Sequence, residues 1–229
     1  MRWFRRAADQ GSARAQFNLG TIYNHGQGVP QAYLEAMKWY RLAAEQRHAG
    51  AQFNLATMYA QGHGAPTDDV EANRWYRLAA EQGHPAAQFA LALRSAKGQG
   101  VPRSDADAVK WASLAANQGH VLAQYNLGIM YANGRGVPRN EDEASKWYRL
   151  AAEQGYVLAQ SSIGLRYSTG LGVPRDMLRA LMWLSLAAAR GDKKAVEDRD
   201  AVKKSMTPAQ INQVQKLVRE WTPAVQPPP

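Results

Sequence analysis

The sequence predicts an all-α protein, an α-solenoid of antiparallel helix pairs with a 36-residue repeat. Tryptophan recurs at Trp3, Trp39, Trp75, Trp111, Trp147 and Trp183, every interval being 36 residues. Pro30, Pro66, Pro102, Pro138 and Pro174 keep the same interval, as do glycine pairs from Gly26/Gly28 to Gly170/Gly172. Alanine holds it too, from Ala36 to Ala180. Chance does not keep several residue types in register across successive units, and periods of this size mark repeat arrays.

Each unit reads as two helices. In residues 120–155, Ala123, Leu127, Gly128 and Tyr131 form one buried stripe on a first helix. Gly134-Arg135-Gly136-Val137-Pro138 then ends it, glycine supplying the left-handed cap and proline blocking continuation. Asn140 with Glu143 has the spacing of a capping box, repeated at Asp68/Glu71 and Ser104/Asp107. The second helix buries Ala144, Trp147, Leu150 and Ala151 before Gly155 closes it. Helices this short are marginal alone in water, so stacking is obligatory.

Complete repeats are expected at 12–47, 48–83, 84–119, 120–155 and 156–191. Residues 1–11 supply only the second helix of another, so a longer parent or a misassigned start is expected. Residues 192–222 read as polar-faced capping helices. Arg199, Asp200 and Lys203 stand there at formerly apolar positions, and Ile211, Val214, Leu217, Val218 and Trp221 line one side of the last helix. Residues 223–229 are proline-rich and expected to be disordered.

The string Ala-x-x-x-Leu-Gly-x-x-Tyr-x-x-Gly-x-Gly-Val-Pro (Ala123–Pro138), followed by Lys-Trp-Tyr-Arg-Leu-Ala-Ala-Glu-Gln-Gly (Lys146–Gly155), resembles the Sel-one-like repeat (SLR) family, cousins of tetratricopeptide proteins. The likeness covers about residues 3–191. It implies a right-handed superhelix whose concave groove serves as a protein scaffold or adaptor, often in bacteria. Arg47 departs from the pattern by replacing the closing glycine. Ser95 and Ala112-Ser113 replace aromatic and basic positions in the third repeat, which is expected to be the weakest joint. A cysteine-rich branch of the family is linked to β-lactams, and this chain has no cysteine.

Candidate binding residues follow from the tetratricopeptide likeness. First-helix positions just off the buried stripe line the groove there: Phe17, Phe53, Phe89, Tyr125 and Ser161, then Thr21, Thr57, Leu93, Ile129 and Leu165 one turn later. Asn24, Ala60, Ala96, Ala132 and Ser168 come at the end. Four consecutive aromatics suit an extended or helical peptide. They suit equally the filling of gaps between adjacent first helices, and both readings stand. Trp39, Trp75, Trp111, Trp147 and Trp183 are read as structural core.

Other chemistries are expected to be absent. His48, His84 and His120 keep the repeat interval, but column-mates about 10 Å apart cannot share a zinc ion, so they read as loop residues. The Gly-x-Gly loops follow helix C-termini, where the dipole repels phosphate. No nucleophile and base, and no paired carboxylates, stand together, so no catalytic residue and no cofactor are expected. The net charge of +9 is spread along the chain, between −2 and +3 per segment. Lys38, Arg41, Arg74, Arg77, Lys110, Lys146 and Arg149 lie on a solvated face among acids, which argues against nucleic acid and for acidic protein surfaces.

No run reaches the roughly 18 apolar residues of a membrane helix. Met1–Arg6 lacks a signal-peptide core, so the cytoplasm is the default, with periplasm or export open if the N-terminus is truncated. The function expected is a non-enzymatic scaffold or adaptor that binds a protein or peptide in its concave groove, as a monomer or associating through its exposed N-terminal helix. Its rivals are a regulatory or assembly segment acting through the open N-terminal helix, and a nucleic-acid binder.

Overall fold

The computed structural model describes residues 2–224. Every regular element among them is a helix, and the chain divides into two compact units, residues 1–115 and 116–229. The first holds α1 (Arg2–Asp9), α2 (Ala13–His25), α3 (Tyr33–Glu45), α4 (Ala49–Gln61), α5 (Asp69–Glu81), α6 (Pro85–Lys97) and most of α7 (Asp105–Asn117). The second holds α8 (Val121–Asn133), α9 (Glu141–Glu153), α10 (Val157–Thr169), α11 (Met177–Ala189), α12 (Lys193–Lys203) and α13 (Pro208–Glu220). Sequential helices pack in both: α1 on α2, then α2 to α6 in order, and α8 to α12 in order, with α13 laid on α11.

The cores are alanine-rich and threaded by large side chains. Tyr40, Leu19, Leu55, Leu127, Ile163 and Leu184 are almost wholly buried. Trp75, Trp147 and Trp183 are buried as expected, but Trp39 and Trp111 keep an outer edge in solvent. The cations of Arg5, at 6.0 Å, and Lys110, at 5.7 Å, lie over those two rings, the aliphatic stems doing part of the covering. The tyrosine that follows the tryptophan in three of the repeats, as Tyr40, Tyr76 or Tyr148, is buried as well. Gly20 and Gly128 make room for it: a methyl group there would stand 2.5 Å from the Tyr40 ring and 2.8 Å from the Tyr148 ring.

The helix starts differ from expectation in two ways. Asp68 and Asn140 cap α5 and α9 with their side chains, accepting from Glu71 and Glu143 N–H, but the reciprocal half of a capping box is missing. The reason is that the cap's own backbone N–H is already spent: Asn140 donates to Tyr131 O at 3.0 Å, Asp68 to Tyr59 O at 3.0 Å and Ser104 to Ser95 O at 2.9 Å. The glutamates turn instead to Arg74 and Lys146. Thr207, opening α13, does complete the box, with Gln210.

The histidine column, expected in loops, is the N-cap column of the first helices. Nδ1 of His48, His84 and His120 accepts from the N–H of Ala51, Ala87 and Ala123 at 3.1–3.3 Å. Ser12 and Asp192 perform the same task for α2 and α12.

Two buried polar devices join successive repeats, and neither was anticipated. A glutamine recurs at Gln16, Gln52, Gln88, Gln124 and Gln160, each buried. Its Nε2 donates to the carbonyl of Ala8, Ala44, Ala80, Ala116 or Ala152 at 3.0–3.3 Å, near the end of the preceding second helix. Its Oε1 accepts from a second glutamine, Gln46 on Gln16, Gln82 on Gln52 and Gln154 on Gln124. One amide thus satisfies helix-end carbonyls that would otherwise be orphaned.

The other device is a buried arginine. Arg94 on α6 donates to Asn73 Oδ1 at 2.5 Å and to the Asp69 carboxylate on α5. Arg166 on α10 donates to Ser145 Oγ at 3.1 Å and to Glu141 Oε2 at 2.9 Å on α9. Both guanidinium groups lie over a tyrosine, Tyr76 at 5.8 Å and Tyr148 at 5.0 Å. The second loop glycine packs against the same place: a methyl on Gly172 would meet Glu141 O at 2.0 Å.

Arg47 occupies the turn before α4 with φ 65°, the one non-glycine residue described in the left-handed region. Gly83, Gly119, Gly155 and Gly191 fill the matching turns. At the C-terminus Pro223 and Ala224, expected to be disordered, are placed: Ala224 N–H donates to Glu153 O at 2.7 Å. The rest of the proline-rich tail, 225–229, lies outside the described residues.

Candidate functional site

Three of the first-helix aromatics, Phe17, Phe53 and Tyr125, are clasped between two rings each. In the first unit Phe17 lies 5.9 Å from Tyr40 of its own repeat and 4.6 Å from His48, which caps the next first helix. Phe53 repeats this with Tyr76 at 5.7 Å and His84 at 5.0 Å. Phe17 and Phe53 are half-buried and Phe89 is buried. In the second unit Tyr125 sits 5.6 Å from Tyr148 and 5.0 Å from Tyr156. These rings therefore fill the space between adjacent first helices, while all but Phe89 keep part of a face in solvent.

The next column divides by chemistry. Thr21 and Thr57 donate to Phe17 O and Phe53 O at 3.1 and 2.9 Å. With those protons committed, Tyr40 and Tyr76 donate to the threonine oxygens at 3.2 and 3.0 Å. The two threonines thus hold buried tyrosines in place and have little capacity left for a ligand. Leu93 and Leu165 are exposed instead, and Ile129 is half-buried.

Burial pushes the Tyr40 hydroxyl up, with its bonds to Thr21 and Asn54 opposing. Burial raises Tyr76 and Tyr125 likewise, and lifts Tyr148 to about 12 despite the nearby Arg166. All four are neutral phenols at physiological pH.

A cavity of about 220 Å³ opens beside Thr57 in the first unit, lined among others by Asn24, Tyr33, Tyr40, Asn54, Gln61 and His63. The Tyr33 and His63 rings stack at 4.3 Å and wall one side. Its lining carries amide, phenol and imidazole groups and no carboxylate, lysine or arginine. Of these residues the sequence had pointed only to Asn24 and Thr57. Tyr33 and His63 belong to loop and second-helix positions outside the groove columns, and only the fold brings them there. Among the described residues no group of three or more His, Asp or Glu side chains is placed to hold a metal ion, and no helix is long and apolar enough to cross a membrane.

Stacked helix hairpins, a recurrent first-helix face and joints sealed by repeat-register glutamines define the class: an α-solenoid of 36-residue repeats. More narrowly, the chain belongs to the Sel1 repeat family, whose model matches residues 1–12, 13–48, 49–84, 85–120, 121–156 and 157–192. Proteins of this family are generally interaction scaffolds, typically non-catalytic.

Solved structures agree. A protective antigen of uropathogenic Escherichia coli displaying an SLR fold is 36% identical, with a TM-score of 0.88 over 96% of this chain and 48% of its own. A Sel1 repeat protein from Oxalobacter formigenes is 37% identical, with a TM-score of 0.79 over 85% of this chain and 57% of its own. The chain therefore spans about half the length of these relatives. A putative sel1 repeat protein from Klebsiella pneumoniae, 24% identical with a TM-score of 0.53 over 88% of this chain and 98% of its own, shares the fold. Comparison with curated proteins finds no match.

Proposed function

We propose that the chain is a non-enzymatic scaffold whose first-helix face docks a segment of another protein. The observation that carries this reading is the uncharged polar cavity of the first unit. Amides, phenols and two imidazoles offer donors and acceptors matched to the N–H and C=O groups of a peptide backbone, with no carboxylate, lysine or arginine to favour a charged ligand. The half-exposed edges of Phe17 and Phe53, and exposed Leu93, supply apolar contact on the same unit. Tyr125, Ile129 and Leu165 form the corresponding surface of the second unit. Specificity then rests on the variable positions of that face, and the chain contributes presentation alone.

Because the phenylalanines also pack, the test uses residues that can change without opening the core. Affinity capture from native lysate compares the unaltered chain with an Asn24→Glu, Gln61→Glu, Leu93→Glu variant and with an Arg77→Glu, Arg149→Glu control. Circular dichroism verifies that all three fold. Loss of a captured protein from the first variant alone supports the reading. Equal capture by all three, or loss only from the control, removes the first-helix face as the docking surface.

A further inference from the structure

The second-helix side carries a different groove, and the repeat itself shows how such a groove is filled. In the second unit the chain leaves α13 and lays residues 221–224 across the ends of α9 and α11. Trp221 meets Trp183 edge-on at 6.1 Å, with the Arg190 guanidinium 5.7 Å from its ring. Pro223 lies against Gly155, and Ala224 N–H donates to Glu153 O at 2.7 Å.

Three repeats earlier, the residues equivalent to Glu153, Gly155, Trp183, Leu186 and Arg190 are Glu45, Arg47, Trp75, Leu78 and Gln82. All five line one open cavity of about 550 Å³ between α3 and α5. The difference in cover is plain at the leucine: Leu186, in one apolar cluster with Val218 and Trp221, is 7% exposed, whereas Leu78 is 37% exposed.

We propose that the α3–α5 groove is a docking site for an extended partner segment of the Trp-x-Pro-Ala type. Its indole would stand on Leu78, beside the edge of Trp75, whose ring carries the Arg74 guanidinium at 4.9 Å. The N–H of the residue after proline would donate to the Glu45 carbonyl, as Ala224 does to Glu153. Arg47, exposed and without an ion pair among the described residues, puts a guanidinium in this groove where the second unit puts Arg190. The occupied groove also shows what arginine at the far wall entails. Gln82 donates to the buried Gln52, whereas Arg190 turns to Gly155 O and leaves Gln160 Oε1 with no partner. A buried carbonyl left unpaired is a cost, and beside it the Arg190 guanidinium serves Gly155 O and the Trp221 ring instead. This groove lies on another face from the proposed first-helix site, and the two stand or fall separately.

The probe is a fluorescently labelled peptide, Arg-Glu-Trp-Thr-Pro-Ala, titrated with the full chain and read by anisotropy. Leu78→Glu should weaken binding at least about tenfold, as expected for a charge placed under an aromatic anchor. Leu42→Glu, the same change one repeat away, should leave it unaltered. Gln82→Arg should tighten binding about two- to fivefold through the added cation–π contact, and it keeps the proposal testable if Leu78→Glu fails to fold. A peptide carrying Trp221→Ala should not bind. Absence of binding to the full chain overturns the proposal, as does equal loss in the two leucine variants. Binding abolished by Arg190→Ala but indifferent to Leu78→Glu also overturns it, since the peptide would then be displacing the chain's own tail.

Discussion

Within the first unit, the joint between α3 and α4 and the joint between α5 and α6 have the same register and opposite chemistry. At the first, Met58 faces Met37 and Tyr33, all within one apolar cluster. At the second, the equivalent residues are Arg94, Asn73 and Asp69, tied by hydrogen bonds and an ion pair. The second unit repeats the ionic form at α9–α10, with Arg166, Ser145 and Glu141. A backbone spacing set by alanines and glutamines therefore accepts either solution. Burying the arginine is tolerated because each of its bonds is met and its acid stays partly in water, Asp69 being 49% and Glu141 19% exposed at the side chain.

The most damaging test of that comparison places a charge where the joint is apolar. Met58→Arg, facing Met37 and Tyr33, should cost about 3–5 kcal/mol, the loss expected for an uncompensated buried charge. Denaturant unfolding monitored by circular dichroism measures it. Arg94→Met should cost less, about 1–3 kcal/mol, because it orphans Asn73 Oδ1 while Asp69 remains hydrated. Converting the whole joint, with Asp69→Tyr, Asn73→Met and Arg94→Met together, should return stability to within about 1 kcal/mol of the unaltered chain. A triple variant no better than the single one would show that the joints are not interchangeable.

Two smaller effects sharpen the picture at the α3–α4 turn. Arg47→Gly should raise stability by about 1 kcal/mol, since a left-handed conformation strains any residue with a Cβ. A higher denaturation midpoint is the expected reading. At His48, burial of the ring outweighs the bond to its own backbone and holds the imidazole below its ordinary 6.5. Its neutral form is therefore favoured in the folded chain. The stability it brings is present above the unfolded value and lost as pH falls through the folded one. His48→Ser keeps a cap, as Ser12 does at α2, but does not titrate. Its thermal midpoint should fall less than that of the unaltered chain between pH 7.5 and 5.

Helix pairs, loop caps and the tryptophan column were legible because each depends on residues close in the chain or locked to one period. The glutamine column was equally periodic, at Gln16, Gln52, Gln88, Gln124 and Gln160, but a polar residue beside an apolar stripe reads as surface until its carbonyl partners are seen. The arginine clamps left almost no trace. Arg94 and Arg166 interrupt a column otherwise filled by Ile22, Met58 and Met130, and their partners stand 21 and 25 residues earlier. For the candidate surface, periodicity marks the positions without saying how much of each ring is consumed by packing. Phe17 and Phe53 turned out to be clasped by His48 and His84, residues whose common interval had suggested only a metal column to be dismissed.

The ionic joint has a consequence for how such a chain can be lengthened or reordered by recombination. A repeat contributing a methionine at this position can follow any neighbour with an apolar second helix. One contributing Arg94 or Arg166 must follow a repeat that opens its second helix with an acid and carries Asn or Ser four residues later. The arginine thus acts as an adjacency rule written into the array, permitting duplication of matched pairs and penalising the transplant of a single unit.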